Sequence, residues 1–160
     1  MWDYKWAEYY INMAEMGAAK SKDPDHKVGC FIVGPQNQVW SIGFNGFPQG
    51  IEDDPSLVPE RYEGELKAKI TIHAERNALE LREHSVRGGT LYLNYSPYGI
   101  CTSCAMSIIQ TGIRRVIGPD RLFGEGAGRN GWKDDCKTIS VPYMKEAGIE
   151  IIEILDFKFK

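Results

Sequence analysis

Apolar and polar positions along the chain switch between a helical and a strand period. From about Asp3 to Ala19, Trp6, Tyr9, Tyr10, Met13 and Met16 recur at spacings of three and four, the pattern of one helix face. Asp3 is placed to cap this helix and Gly17 to end it, and the stripe reads as core packing. Ser21-Lys22-Asp23-Pro24 is a turn. Lys27 to Gly34 and Gln38 to Phe44 are β-prone runs joined by Pro35-Gln36-Asn37, which predicts a hairpin.

Gly43-Phe44-Asn45-Gly46-Phe47-Pro48 follows. Two glycines around an asparagine either turn the chain or bring its backbone close to a ligand. Gln49 to Gly64, rich in Pro, Asp and Glu, reads as a long irregular insertion. His73 to about Glu83 is a predicted helix with Ala74, Ala78, Leu79 and Leu81 on its apolar side and Glu75, Arg76 and Arg82 polar. Thr90 to Tyr95 is a strand, and Cys101 to about Thr111 a helix with Ala105, Ile108 and Ile109 inward and Gly112 as its cap. Ile113 to Ile117 is a strand, and Gly118 to Gly131 a glycine-rich loop without the Lys-Ser/Thr pair of a phosphate loop. A helix covers roughly Ser140 to Ala147 or starts earlier, with Pro142 suited to a first turn, and Ile149 to Leu155 is the last strand. A hairpin followed by repeated helix–strand units predicts an α/β fold: a three-layer α/β/α sandwich around a five-stranded mixed sheet.

The length of 160 residues suits a single domain, 1–160, and a 42% hydrophobic fraction suffices for a core. The formal charge of −3 weighs against a nucleic-acid polymer as partner. The first residues lack the layout of a signal peptide, and no apolar run reaches membrane-spanning length. The expectation is a cytoplasmic protein with no membrane contact. Its four cysteines then read as metal ligands or free thiols rather than disulfides.

Two motifs carry chemistry. His73-Ala74-Glu75 and Cys101-Thr102-Ser103-Cys104 each open a predicted helix. An imidazole and two thiolates form a donor set suited to Zn²⁺, and three protein ligands leave one position of a tetrahedron for water. Helix N-termini favour the thiolate form of both cysteines. Glu75, two residues past the histidine, can serve as an acid/base without ligating. An H-x-E followed by P-C-x-x-C is the pattern of zinc-dependent nucleobase deaminases. The competing reading is a closed structural site with a fourth ligand from His26, His84, Cys30 or Cys136. His84 lies roughly 16 Å further along a helix, too far to share the ion. His26 is better read as a surface residue, and Cys30 and Cys136 as packed thiols.

The sequence resembles the deoxycytidylate (dCMP) deaminase family of the cytidine-deaminase superfamily over about residues 5 to 118. The matching segments are Ser21 to Pro24 with Lys27 to Cys30, Gly43 to Gly50, Asp53-Asp54, His73 to Ala78 and Ile108 to Ile113. The resemblance implies a cytidine deaminase-like fold and hydrolysis of dCMP to dUMP and ammonia, feeding thymidylate synthesis. It implies His73, Cys101 and Cys104 as Zn²⁺ ligands, Glu75 as proton shuttle, and Asn45 at the pocket edge against the sugar, with Ala74 a further substrate-binding candidate. It further implies a nucleotide effector site at Gly43, Phe44, Asn45 and Gly46, answering to dCTP and dTTP, and a homo-oligomer, in some relatives a hexamer. Such proteins occur in phages as well as cells, so host cytoplasm is the equivalent location.

One departure stands out. The family usually places a proline directly before the first cysteine, whereas here Tyr98-Gly99-Ile100 separates Pro97 from Cys101. Tyr98 is expected either to reshape the base pocket, changing tolerance at the 5-position, or to turn outward in a bulge. Lys22, Lys27 and Arg61 are the phosphate-binding candidates. The alternative functions are a deaminase of a 5-substituted deoxycytidylate or of another amino-bearing base, nucleoside or nucleotide, and a non-enzymatic zinc-stabilised scaffold.

Overall fold

The alternation within Gly29–Val33 (β1) sets the layers. Cys30 and Ile32 enter one core, Phe31 and Val33 the other. The computed structural model describes residues 3–96, 99–119 and 135–160. Its elements begin with helix α1 (Tyr4–Ala18), then β1 and β2 (Val39–Phe44). A 3₁₀ turn (Pro59–Tyr62) precedes α2 (Gly64–Ile70) and α3 (Ala74–Glu80). β3 (Thr90–Leu93), α4 (Thr102–Thr111) and β4 (Arg115–Pro119) follow. A π-helical turn (Cys136–Ser140) runs into α5 (Val141–Glu146), and β5 (Glu150–Ile154) ends the series.

The strands form one sheet in the order β2-β1-β3-β4-β5. β1 is antiparallel to β2 and β3, while β3, β4 and β5 run parallel. The mixed five-stranded sheet is thus the predicted one. One face carries α1, with Ala7, Tyr10, Ile11 and Ala14 against Phe31, Tyr92 and Ile117. The other carries α3, α4 and α5 through Ala78, Leu79, Ala105, Ile108 and Met144.

The structure corrects three expectations. In α1 the buried positions are Ala7, Tyr10, Ile11, Ala14 and Ala18, whereas Trp6, Tyr9 and Met16 are exposed. A Cβ on Gly29 would lie 1.9 Å from the Ala14 carbonyl oxygen, so helix and strand approach too closely for large side chains. Alanines therefore face the sheet and the aromatic stripe lies beside the contact. Within and beyond the expected irregular stretch lie the 3₁₀ turn and α2. α2 buries no residue, so it has no apolar stripe to read. Polar anchoring holds it: Lys67 Nζ lies 2.8 Å from Asp23 and 2.7 Å from Asp25. The third helix ends at Glu80, leaving Leu81 outside it and exposed. The last helical segment starts at Cys136, the earlier start that the prediction left open, and its π turn buries Cys136 in the core. The expectations for Tyr98 and most of the glycine-rich loop fall outside the described residues.

Candidate active site

The two chemical motifs meet where α3 and α4 begin. His73 is the residue preceding α3 and Cys101 the residue preceding α4, both in extended backbone conformation. Gly43 of β2 brings α3 down onto the sheet: a Cβ there would lie 2.3 Å from the Ala74 carbonyl oxygen and 2.4 Å from the Ala78 nitrogen. Ser41 Oγ donates to the Ala78 carbonyl at 2.6 Å, and Asn77 Nδ2 to the Phe44 carbonyl at 2.6 Å. An isolated bridge between Gly46 and Ile72 fixes the chain just before His73. α4 is anchored by Ala105 and Ile108 and closed by Gly112 in the left-handed region at φ 75°.

The result is a compact donor set. Cys101 Sγ lies 3.3 Å and Cys104 Sγ 3.5 Å from His73 Nδ1. All three ligand atoms lie within 4.8 Å of one another. A tetrahedral zinc ion with ordinary bond lengths separates its nitrogen and sulfur ligands by about 3.6 Å, so the observed spacing fits zinc. Among the described residues no fourth His, Cys, Asp or Glu joins the group. Cys30 and Cys136 are buried in the core, as expected for packed thiols.

The electrostatics suit a cation at this point. The Cys104 interaction, working against burial and joined by His73, holds the Cys101 thiol down at about 4. Cys104, sharing that contact and more deeply buried, is pushed well above the ordinary thiol value. Burial alone would lower His73, but its contact with Cys101 and the nearby Glu75 raise it to about 8. Glu75 is buried in the first turn of α3, and that burial raises its carboxyl above the ordinary value. His73 and Cys104 oppose that rise, as groups close to the carboxyl, and Glu75 is buried beside them.

A cleft of about 310 Å³ opens onto His73 and Cys101. Among the described residues, its charged lining residues besides His73 are Lys69, Arg76 and Asp135. Sequence reasoning missed both cations: α2 offers no periodicity to place Lys69. Arg76, three residues after His73, was readable from same-face helical spacing.

The remaining candidates are placed as follows. Ala74 is fully buried at the start of α3. Asn45 is buried and bonded to the 23–28 segment: its Oδ1 accepts from Val28 N at 2.8 Å and its Nδ2 donates to the His26 carbonyl at 2.9 Å. Of the glycine–asparagine segment, Gly43 packs against α3, Phe44 is partly exposed, and Gly46 has open space beside it. Lys22 pairs with Asp53 at 2.6 Å, Lys27 Nζ donates to the Ser21 carbonyl at 2.8 Å, and Arg61 donates to the Glu52 carbonyl at 2.9 Å. None of these three cations lines the cleft. Of the inserted residues, Gly99 takes φ 81° and Ile100 is fully buried in the core, whereas Tyr98 lies outside the described residues. Among the described residues no helix is long and apolar enough to cross a membrane.

Comparison with known proteins agrees with this geometry. Residues 4–118 match the family described as "Cytidine and deoxycytidylate deaminase zinc-binding region". An "Uncharacterized deaminase in luxG 3'region" of Aliivibrio fischeri is 34% identical over 147 residues, covering 92% of each chain. Deoxycytidylate deaminases of Mus musculus and Homo sapiens are 40% and 39% identical, the matches covering 72% of this chain and 65% of each mammalian protein. The crystal structure of dCMP deaminase from cyanophage S-TIM5, solved in apo form, superposes with a TM-score of 0.69 at 20% identity, over 96% of this chain and 100% of that one. That likeness establishes a shared fold.

Proposed function

The chain belongs to the cytidine and deoxycytidylate deaminase zinc-binding family, and from that premise we propose that it hydrolyses dCMP to dUMP and ammonia. One observation carries the reading: three zinc-compatible ligand atoms within 4.8 Å of one another, beside a buried glutamate that is not among them. The substrate follows from the mammalian relatives named deoxycytidylate deaminase. A phage protein of the same fold has been crystallised with dCMP and dUMP.

His73, Cys101 and Cys104 would hold the metal, and zinc bound there would supply Lewis-acid activation of water. Glu75 moves the protons. Its carboxylate takes a proton from water as the oxygen adds to C4 of the base, and passes it to N3. It then takes the second proton from that oxygen and gives it to the departing amino group, so the C4–N bond breaks and ammonia leaves. A carboxyl raised by burial suits both directions of transfer, because catalysis is best when the group's affinity for the proton lies near the working pH. Ala74 and Asn45 form the inner wall beside the base and sugar.

The test is an ammonia and ultraviolet assay of the zinc-loaded protein over a panel of amino-bearing nucleotides, with and without chelator. Chelator-sensitive conversion of dCMP well ahead of deoxycytidine is expected. Equal turnover of dCMP and deoxycytidine would mean a nucleoside deaminase instead, and no ammonia from any substrate would leave only the scaffold reading.

A further inference from the structure

We propose that Asn94, held by Glu15, is a positioning residue for the substrate pocket: with Asn45 it clamps the chain segment 26–29 from both sides and so fixes where the pocket wall stands. The inference rests on the deaminase reading, in which Asn45 borders the substrate.

The two asparagines hold matching places. β1 lies between β2 and β3; Asn45 is the residue after β2, and Asn94 the residue after β3. Each donates its backbone N–H toward β1, Asn45 to the Val28 carbonyl at 3.1 Å and Asn94 to the Gly29 carbonyl at 3.3 Å. Each then turns its side-chain amide onto the same segment. Asn45 accepts from Val28 N at 2.8 Å and donates to the His26 carbonyl at 2.9 Å. Asn94 accepts from Gly29 N at 2.7 Å and donates to the Lys27 carbonyl at 3.3 Å. Four successive residues thus each give one main-chain group to an asparagine side chain. Buried main-chain groups need such partners, and two amides on opposite edges also fix the position of the segment between them.

Asn94 is 1% exposed, and its amide hydrogens are spent on the Lys27 carbonyl and on Glu15 Oε2 at 2.6 Å. It therefore acts through the segment rather than on a substrate. The bond to Glu15 is short and charge-assisted, the stronger kind, and it ties the clamp to α1 on the far face of the sheet. On the near face, Val28 packs against the cluster that contains Ala74 and Cys104. The Cys30 thiol, next along the strand, is raised by burial and then by the charge of Glu75, so the clamped chain runs on past that carboxyl. Asn45 spends its own amide hydrogens on His26 and Asp23, so the segment decides where Asn45 stands. The helix that follows His73 is held separately, through Ser41 and Asn77. Disturbing the clamp should move the pocket wall and leave the metal ligands in place.

The experiment measures kcat, KM and calorimetric affinity for dCMP, zinc content, and hydrogen exchange at the Val28 and Gly29 amides. The proteins are the wild type, Asn94→Ala, Asn94→Asp, Glu15→Gln and the Asn94→Asp/Glu15→Gln double variant. Asn94→Ala is expected to keep its zinc, raise KM roughly tenfold and change kcat by less than about threefold. Its Gly29 amide should exchange faster by roughly tenfold or more. Asn94→Asp should be worse, because it sets a carboxylate against both Glu15 and the Lys27 carbonyl. Adding Glu15→Gln reverses the direction of that hydrogen bond and should bring KM back toward the wild-type value. A rise in KM alone, reversed by the swapped pair, is not what general loss of fold would produce. A zinc-loaded Asn94→Ala with wild-type KM overturns the proposal, and so does a fall in kcat and zinc content together at unchanged KM. A wild type that binds dCMP, binds it more weakly in Asn94→Ala with zinc retained, and yet releases no ammonia supports the clamp and overturns the deaminase reading.

Discussion

Cys101 Sγ lies 3.3 Å from His73 Nδ1, although 28 residues separate them in the chain. The sheet brings them together: α3 follows β2 onto one face, α4 follows β3 onto the same face, and each helix starts at a ligand. Every prediction below depends on that juxtaposition.

The protonation of the ligand group predicts how zinc binding answers to pH. Near neutrality the metal-free group holds Cys101 as thiolate, held down at about 4, and His73 as imidazolium, raised to about 8, with the Cys104 proton retained. Zinc must displace the protons of His73 and Cys104, so calorimetry in buffers of different ionisation enthalpy should find about two protons released per zinc at pH 7. Affinity should rise steeply as pH increases toward 8. In the metal-free protein, the His73 contribution to stability is full below its ordinary 6.5 and is lost as pH rises through about 8. The Cys101 contribution, full above the ordinary thiol value of 9, is lost as pH falls through about 4. Zinc uptake without proton release would contradict this protonation pattern.

Gly43 should be intolerant of a side chain while its neighbour is not. An alanine at Gly43 meets backbone atoms of α3 at 2.3 and 2.4 Å, which a flexible neighbour cannot relieve. The expected cost is about 1–3 kcal/mol, with faster zinc loss to a chelator because α3 carries His73. Gly46→Ala has open space around it and should shift stability by no more than about 0.5 kcal/mol. Urea unfolding of the two variants together with chelator kinetics checks this, and equal behaviour would sink the packing argument.

Asp23 and Lys67 brace Asn45: Lys67 pairs with Asp23 at 2.8 Å, and Asn45 Nδ2 donates to Asp23 Oδ2 at 3.4 Å. The Asp23 Oδ1 accepts from Asp25 N at 2.9 Å, from His26 N at 3.0 Å and from Lys67 Nζ at 2.8 Å. Lys67→Met leaves this buried carboxylate without its cation and should cost about 2–3 kcal/mol, less than a wholly unpaired buried charge because the backbone donors remain. Loosening of Asn45 should also raise the KM for dCMP more than it lowers kcat. An unchanged denaturation midpoint would show that the backbone donors alone suffice.

The sequence carried the sheet because β1 and β3 are short apolar, β-prone runs bounded by turn residues, and helical and β-prone segments alternate after them, patterns that survive in a single chain. It carried the ligand group because His73, Cys101 and Cys104 have distinctive side-chain chemistry at fixed spacing. It could not carry α2, whose anchoring is ionic between Lys67 and Asp23, 44 residues apart. It misjudged the buried face of α1, since nothing local announces that Gly29 will admit Ala14 to contact. Lys69 was hidden for a similar reason: it sits on α2, and only the tertiary fold brings it to the opening that Arg76 also lines. Ile100, part of the inserted segment expected to border the base, instead fills the core, so deletion of Tyr98 to Ile100 would remove packing as well as any pocket contact.

The central claim is that Glu75, buried beside the ligands yet not one of them, moves the protons of a zinc-dependent deamination. The most direct test is ammonia release from dCMP by wild type and Glu75→Gln, each assayed with its zinc content measured. The account predicts one zinc per chain in both and a loss of turnover of roughly 10²–10⁴-fold in the variant. A Glu75→Gln protein that keeps its zinc and deaminates dCMP at the wild-type rate would contradict it.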